Sequence, residues 1–184
     1  LLVSTPVGWQ THAVLDASSH LRWKVLMEPY FMPSSDARFY KSEGSIQLGL
    51  SFSGINLSAR SGLGKVLGVE DEVPLSERYF LGGATTVRGF HYNSLGEDIG
   101  GGLSFVTASI ESHLLLGGPW TGLSFVDAGN VFADTLSLSQ LELGLGFGIQ
   151  YETGWVPIRL DLAWPAKGLN SIESMKIYLS IGQP

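Results

Sequence analysis

Cysteine is absent from this 184-residue chain, so neither a disulfide nor a thiolate metal site can organise it. Charge is scarce: 15% of the residues are Asp, Glu, Lys or Arg, where a soluble globule carries about a quarter. No apolar run approaches the roughly 18 consecutive residues that a membrane-spanning helix needs, and no basic-then-apolar leader opens the sequence. A basic cluster is missing too. With a net charge of −6 the chain lacks the positive footprint of a nucleic-acid binder, and no nucleic-acid partner is expected. Catalytic signatures are equally thin. His12, His20, His91 and His113 lack ligand spacing, no Gly-x-Ser-x-Gly elbow or phosphate loop occurs, and the Glu97-Asp98 pair reads as solvated surface. No enzyme activity, metal or cofactor is therefore expected.

Glycine and strict alternation are plentiful instead. The chain has 24 glycines and 44% apolar residues. From Leu141 to Glu152, Leu141, Leu143, Leu145, Phe147, Ile149 and Tyr151 fall on one face of a strand, and Glu142, Gly144, Gly146, Gly148, Gln150 and Glu152 on the other. That run exceeds an ordinary strand and meets the nine to eleven or so residues of a tilted bilayer crossing. The same period recurs in Ile46 to Phe52, Ile55 to Gly64, Ile158 to Trp164 and Met175 to Gly182. Apolar residues facing out, with polar residues and glycine facing in, predict an all-β, transmembrane antiparallel β-barrel with a wet lumen.

Counting back from the end predicts about eight strands, near 172–182, 155–164, 138–152, 119–133, 101–115, 55–67, 38–52 and 8–18. Ser53-Gly54, Gly117-Gly118-Pro119 and Thr153-Gly154 are tight links, whereas 19–37, 68–100 and 165–171 are longer, the alternation expected of periplasmic turns and external loops. Residues 19–37 are ambiguous: Leu21, Trp23, Val25 and Met27 alternate against Arg22 and Lys24, but Pro29 and Pro33 discourage a central strand. Trp9, Trp120, Phe132, Trp155 and Trp164 lie near strand ends and suit interfacial girdles.

Alternation stops for about thirty residues after Gly68, a length that normally marks function or disorder. Tyr79, Phe80, Leu81, Val87, Phe90 and Tyr92 carry too much apolar surface for a solvated linker, so the segment is expected to fold. At its centre stands Arg88. In the later strands Asp127 and Glu111 should face the lumen, because a bare carboxylate against lipid is costly; Phe125, Ser109 and Thr107 share their parity. A guanidinium can pair with a carboxylate and stack on an aromatic ring at once. On spacing alone, Arg88 serves equally well as a solvated loop charge.

Gly82-Gly83 followed by Val87-Arg88-Gly89-Phe90 resembles the inward-folded loop of the BamA/TamA superfamily of outer-membrane barrels, whose motif reads Val-Arg-Gly-Phe or Val-Arg-Gly-Tyr. Ala108 to Glu111, Phe125 to Phe132 and Val156 to Pro165 resemble that family's later strands in the right order, so the likeness spans roughly residues 75–182. It implies a barrel of about sixteen strands. Residues 1–184 would then be its C-terminal half, with 68–100 inserted in the lumen; an eight-strand barrel is too narrow inside to hold such a loop. A stand-alone eight-strand barrel with an external loop is the alternative. The resemblance further implies that Arg88 reaches Glu111 and Asp127 with its plane near Phe125. It also implies that the closing strand, with Ile177, Tyr178, Leu179, Ile181 and Gly182, borders a weak lateral seam.

By the same resemblance, the expected function is outer-membrane protein insertion or translocation through that seam, braced by the loop. The partners would be unfolded outer-membrane β-barrel proteins, the lipid bilayer, and periplasmic domains or accessory subunits. A bacterial outer membrane is expected ahead of a mitochondrial or plastid one. A two-partner secretion transporter, a passive porin and a barrel carrying a fused enzyme stand as alternatives.

Overall fold

The computed structural model describes residues 3–4, 7–16, 18–33, 37–169 and 171–182. Its ten strands are β1 (Val3–Ser4), β2 (Val7–Asp16), β3 (Ser19–Met32), β4 (Ala37–Phe52), β5 (Ile55–Leu67), β6 (Ser104–Gly117), β7 (Trp120–Phe132), β8 (Glu142–Glu152), β9 (Pro157–Pro165) and β10 (Lys176–Ile181). They form one antiparallel sheet in which each long strand lies beside its neighbours in sequence. β1 and β2 pair with β3 in a single register, Val3 opposite Phe31 and Val7 opposite Met27, and so share one strand position. The sheet is open here, because among the described residues β10 pairs only with β9.

The expected strands are all present, and residues 19–37 supply one more. β3 is central, paired to β2 on one side and β4 on the other. Pro29 lies within β3, opposite Tyr40 of β4. The alternating pattern of Leu21 to Met27 therefore outweighs the proline signal. Adding β3 preserves the alternation of links: β4–β5, β6–β7 and β8–β9 turn tightly at one end, whereas 68–103, 133–141 and 166–175 connect strands at the other.

Every long strand presents apolar side chains on the convex face, among them Ile46, Leu63, Ile110, Val126, Phe147, Leu160 and Leu179, all exposed. An apolar face this extensive is unsuited to water. Trp120 packs on Tyr151 at 4.6 Å near the tight-turn end, with Trp155 exposed in the next turn of that end, as a girdle requires. Phe132 is a correction to that expectation. It is 5% exposed at the end of β7, although alternation gives it the parity of Val126 rather than that of Asp127, so it is covered there instead of standing in an exposed girdle.

The interior core lies at the long-loop end. Residues 68–103 fold back on themselves through paired backbone bonds between Tyr79 and Gly102, 2.9 and 3.0 Å, and between Leu81 and Leu95, both 3.0 Å. Val73, Tyr79, Leu81 and Leu103 of this segment pack against Phe39, Val66 and Val131 of the inner wall. Burial of that apolar surface is what holds the segment inside, at about 25 cal/mol per Å² removed from water. The wall cooperates by sparing side chains: a Cβ at Gly64 would strike the Phe105 ring and the Tyr79 hydroxyl.

Candidate functional site

The tip of the folded-back segment carries Val87, Arg88 and Gly89, all buried, against the inner faces of β6, β7 and β9. Val87 is 0% exposed and packs at Gly129. Gly82 and Gly83 turn the chain with φ of 107° and 99°. Gly89 also has positive φ, 96°, and an added Cβ would press into the backbone of Trp164 and Pro165. Only glycine meets both demands there.

Arg88 is 2% exposed and fully paired. Its Nε donates to Asp127 Oδ2 at 2.6 Å and its Nη2 to Oδ1 at 2.8 Å, a two-pronged arrangement. The Arg88 backbone N–H donates to the same carboxylate at 3.1 Å. Nη1 donates to Glu111 Oε2 at 2.6 Å, and the guanidinium carbon sits 3.4 Å from the centroid of the Phe125 ring. Burial disfavours this charge, but the hydrogen bonds and negative charges of Asp127 and Glu111 outweigh it and hold the guanidinium pKa above its ordinary value.

Two participants escaped the sequence reading. Arg159 donates to Glu111 through Nη1 and Nη2, at 2.9 and 2.8 Å, and through Nε to both oxygens of Asp161 at 2.9 Å. Asp161 in turn lies 3.6 Å from Arg88 Nη1. Glu111 thus bridges two guanidiniums, and His113 Nε2 sits 2.7 Å from its other oxygen. The available signal was the polar parity of β9, which places Arg159 and Asp161 on the lumen side of a strand whose other side is apolar. Their partners were not legible, because the register between β9 and β6, three strands apart, is unknowable from one strand's pattern.

Glycines in β8 leave room for this network. An added Cβ at Gly144 would collide with the Arg88 carbonyl, at Gly146 with the Phe125 ring, and at Gly148 with the Asp161 carboxylate. On the closing strand Ile177, Leu179 and Ile181 point outward and are exposed, and the Gly182 N–H donates to Pro157 O at 2.9 Å. Tyr178 points inward. Its hydroxyl accepts from the Gly89 N–H at 3.0 Å and donates to the Phe90 carbonyl at 3.0 Å. Tyr178→Phe is expected to weaken docking of the tip by about 1–3 kcal/mol, the cost of an unmade bond at a buried N–H. Faster amide exchange at Gly89, with exchange at Leu81 unchanged, would register it.

An open antiparallel sheet with an apolar outer face, a polar inner face and a folded-in segment defines the wall of a transmembrane β-barrel. The chain belongs to the Omp85 superfamily, whose domain matches residues 13–184, and is accordingly an outer-membrane β-barrel protein. Its fold is similar to the crystal structure of BamA from Haemophilus ducreyi lacking POTRA domains 1-3, with a TM-score of 0.75 and 17% sequence identity. The similarity covers 97% of this chain and 41% of that one, so the chain spans less than half of that protein's length.

Proposed function

We propose that the protein containing this chain inserts or translocates other proteins at the bacterial outer membrane, with the Arg88 segment bracing the barrel from within. The observation that carries this reading is the burial of Arg88 between Asp127 and Glu111, on two adjacent strands whose spacing the arginine ties to the segment. A barrel braced in this way tolerates a weak seam. β10 has only six residues and an apolar outer face, which suits an edge that opens and offers unsatisfied backbone groups to an incoming strand. Unfolded β-barrel proteins are the clients in this scheme, periplasmic domains deliver them, and no catalytic chemistry or cofactor takes part.

Arg88→Ala in the full-length protein is expected to lower assembly of client barrels in proteoliposomes by about tenfold or more, since removing the cation leaves Asp127 buried without its main partner. The variant should still fractionate with the membrane. Wild-type assembly rates from Arg88→Ala would overturn the bracing role. Protein that no longer reaches the membrane would assign Arg88 to folding alone.

A further inference from the structure

The inner wall formed by β2 to β5 carries a second, chemically different surface. His12, Arg22, Gln47 and Arg60 lie in one lateral row, each directly opposite the next across four strands. Lys24 stands two residues along from Arg22, opposite Gln10 and Ser45. Arg22, Lys24, Gln47 and Arg60 line a cavity of about 560 Å³ between the wall and the folded-in segment, which contributes Thr85 and Thr86.

Other inward-facing cations, Lys176 of β10 apart, are neutralised. Lys41 lies 3.9 Å from Glu43 and 3.7 Å from Glu77, Lys65 lies 3.0 Å from Asp134, and Arg88 and Arg159 share three carboxylates. Arg22, Lys24 and Arg60 make no ion pair and no hydrogen bond among the described residues, and all three are exposed to the lumen. Glu43 is the one acid among the residues lining the cavity, and Lys41 already engages it. Three uncompensated cations on a concave, low-dielectric wall focus a positive potential.

We propose that this wall binds an extended acidic segment of polypeptide passing through or held in the lumen. Spacing selects that ligand. Arg22 and Arg60 are two strands apart, about 9–10 Å, and Lys24 is about 7 Å along β3 from Arg22, so one small oxyanion does not span the set. Carboxylates at alternate positions of an extended chain repeat at about 7 Å and meet the cations in turn, while the amides of Gln10 and Gln47 offer further donors. The surface is separate from the Arg88 brace, whose charges are satisfied internally, and its binding does not depend on how the barrel treats its clients.

The lack of cysteine in the chain makes the potential measurable. Ser45→Cys is placed in the full-length protein, with any cysteine elsewhere replaced by serine, and labelled in proteoliposomes with an anionic and a cationic methanethiosulfonate. Ser53→Cys, in an exposed tight turn, is the reference. The anionic-to-cationic rate ratio at Ser45→Cys should exceed the reference by about tenfold, and Arg22→Gln with Arg60→Gln should bring it to within about twofold. Hexaglutamate should slow labelling of Ser45→Cys by a third, uncharged methanethiosulfonate, and hexalysine should not. The proposal is overturned by equal ratios at the two positions, by a ratio that survives neutralisation, or by failure of hexaglutamate to protect. Labelling that occurs only after denaturation also overturns it, since another part of the protein would then cover the wall.

Discussion

Asp127→Ala is expected to destabilise the folded-in segment by about 3–5 kcal/mol, the usual cost of removing one partner from a buried ion pair. Asp127 is 0% exposed and accepts four hydrogen bonds: from the Arg88 N–H, Nε and Nη2, and from Ser109 Oγ at 2.7 Å. Removing it strands a guanidinium with Glu111 as its close acceptor, and Glu111 is already held by Arg159. Asp127→Asn keeps the volume and one acceptor oxygen, so an intermediate loss is expected. Glu111→Ala should cost less than Asp127→Ala, since Arg88 keeps its two-pronged bond to Asp127 and Arg159 keeps Asp161. Urea titration in detergent micelles, followed by tryptophan fluorescence and by proteolysis within 68–103, gives the order. Equal stability of wild type and Asp127→Ala would mean that Arg88 is not docked in the membrane-embedded protein.

That order rests on a network only part of which was readable from the chain. Period-two alternation carries strand identity through burial on one face, so β4, β5, β8 and β9 were legible and β3 was masked by Pro29 and Pro33. Asp127 and Glu111 were legible as inward-facing, because a carboxylate on the lipid side is too costly for a strand to keep. Their meeting with Arg88 came only through a resemblance in motif, since a single sequence carries no information about where a loop tip lands. Arg159 and Asp161 stood two residues apart on the correct face, yet nothing in β9 alone states that Glu111, 48 residues earlier, lies within bonding distance. The double duty of Tyr178 was hidden for the same reason: its parity was visible, but its partners are backbone groups of Gly89 and Phe90.

Gly144→Ala should release the tip although it removes no interaction. The new methyl group would occupy the space of the Arg88 carbonyl, and Arg88 cannot retreat while its N–H and guanidinium are both fixed to Asp127. Backbone atoms held this way do not rotate aside as a flexible side chain does, so the collision is relieved by undocking. Gly44→Ala is the matched control, a strand glycine whose added Cβ meets nothing within 4 Å, and it should be neutral to within about 0.5 kcal/mol. Coupling to Arg88 separates undocking from simple strand damage. If Gly144→Ala acts by expelling the tip, adding Arg88→Ala should cost little more, and the double-mutant cycle should return an interaction energy of about 1–3 kcal/mol. Additive losses would show instead that the methyl group harms β8 itself, leaving the tip in place.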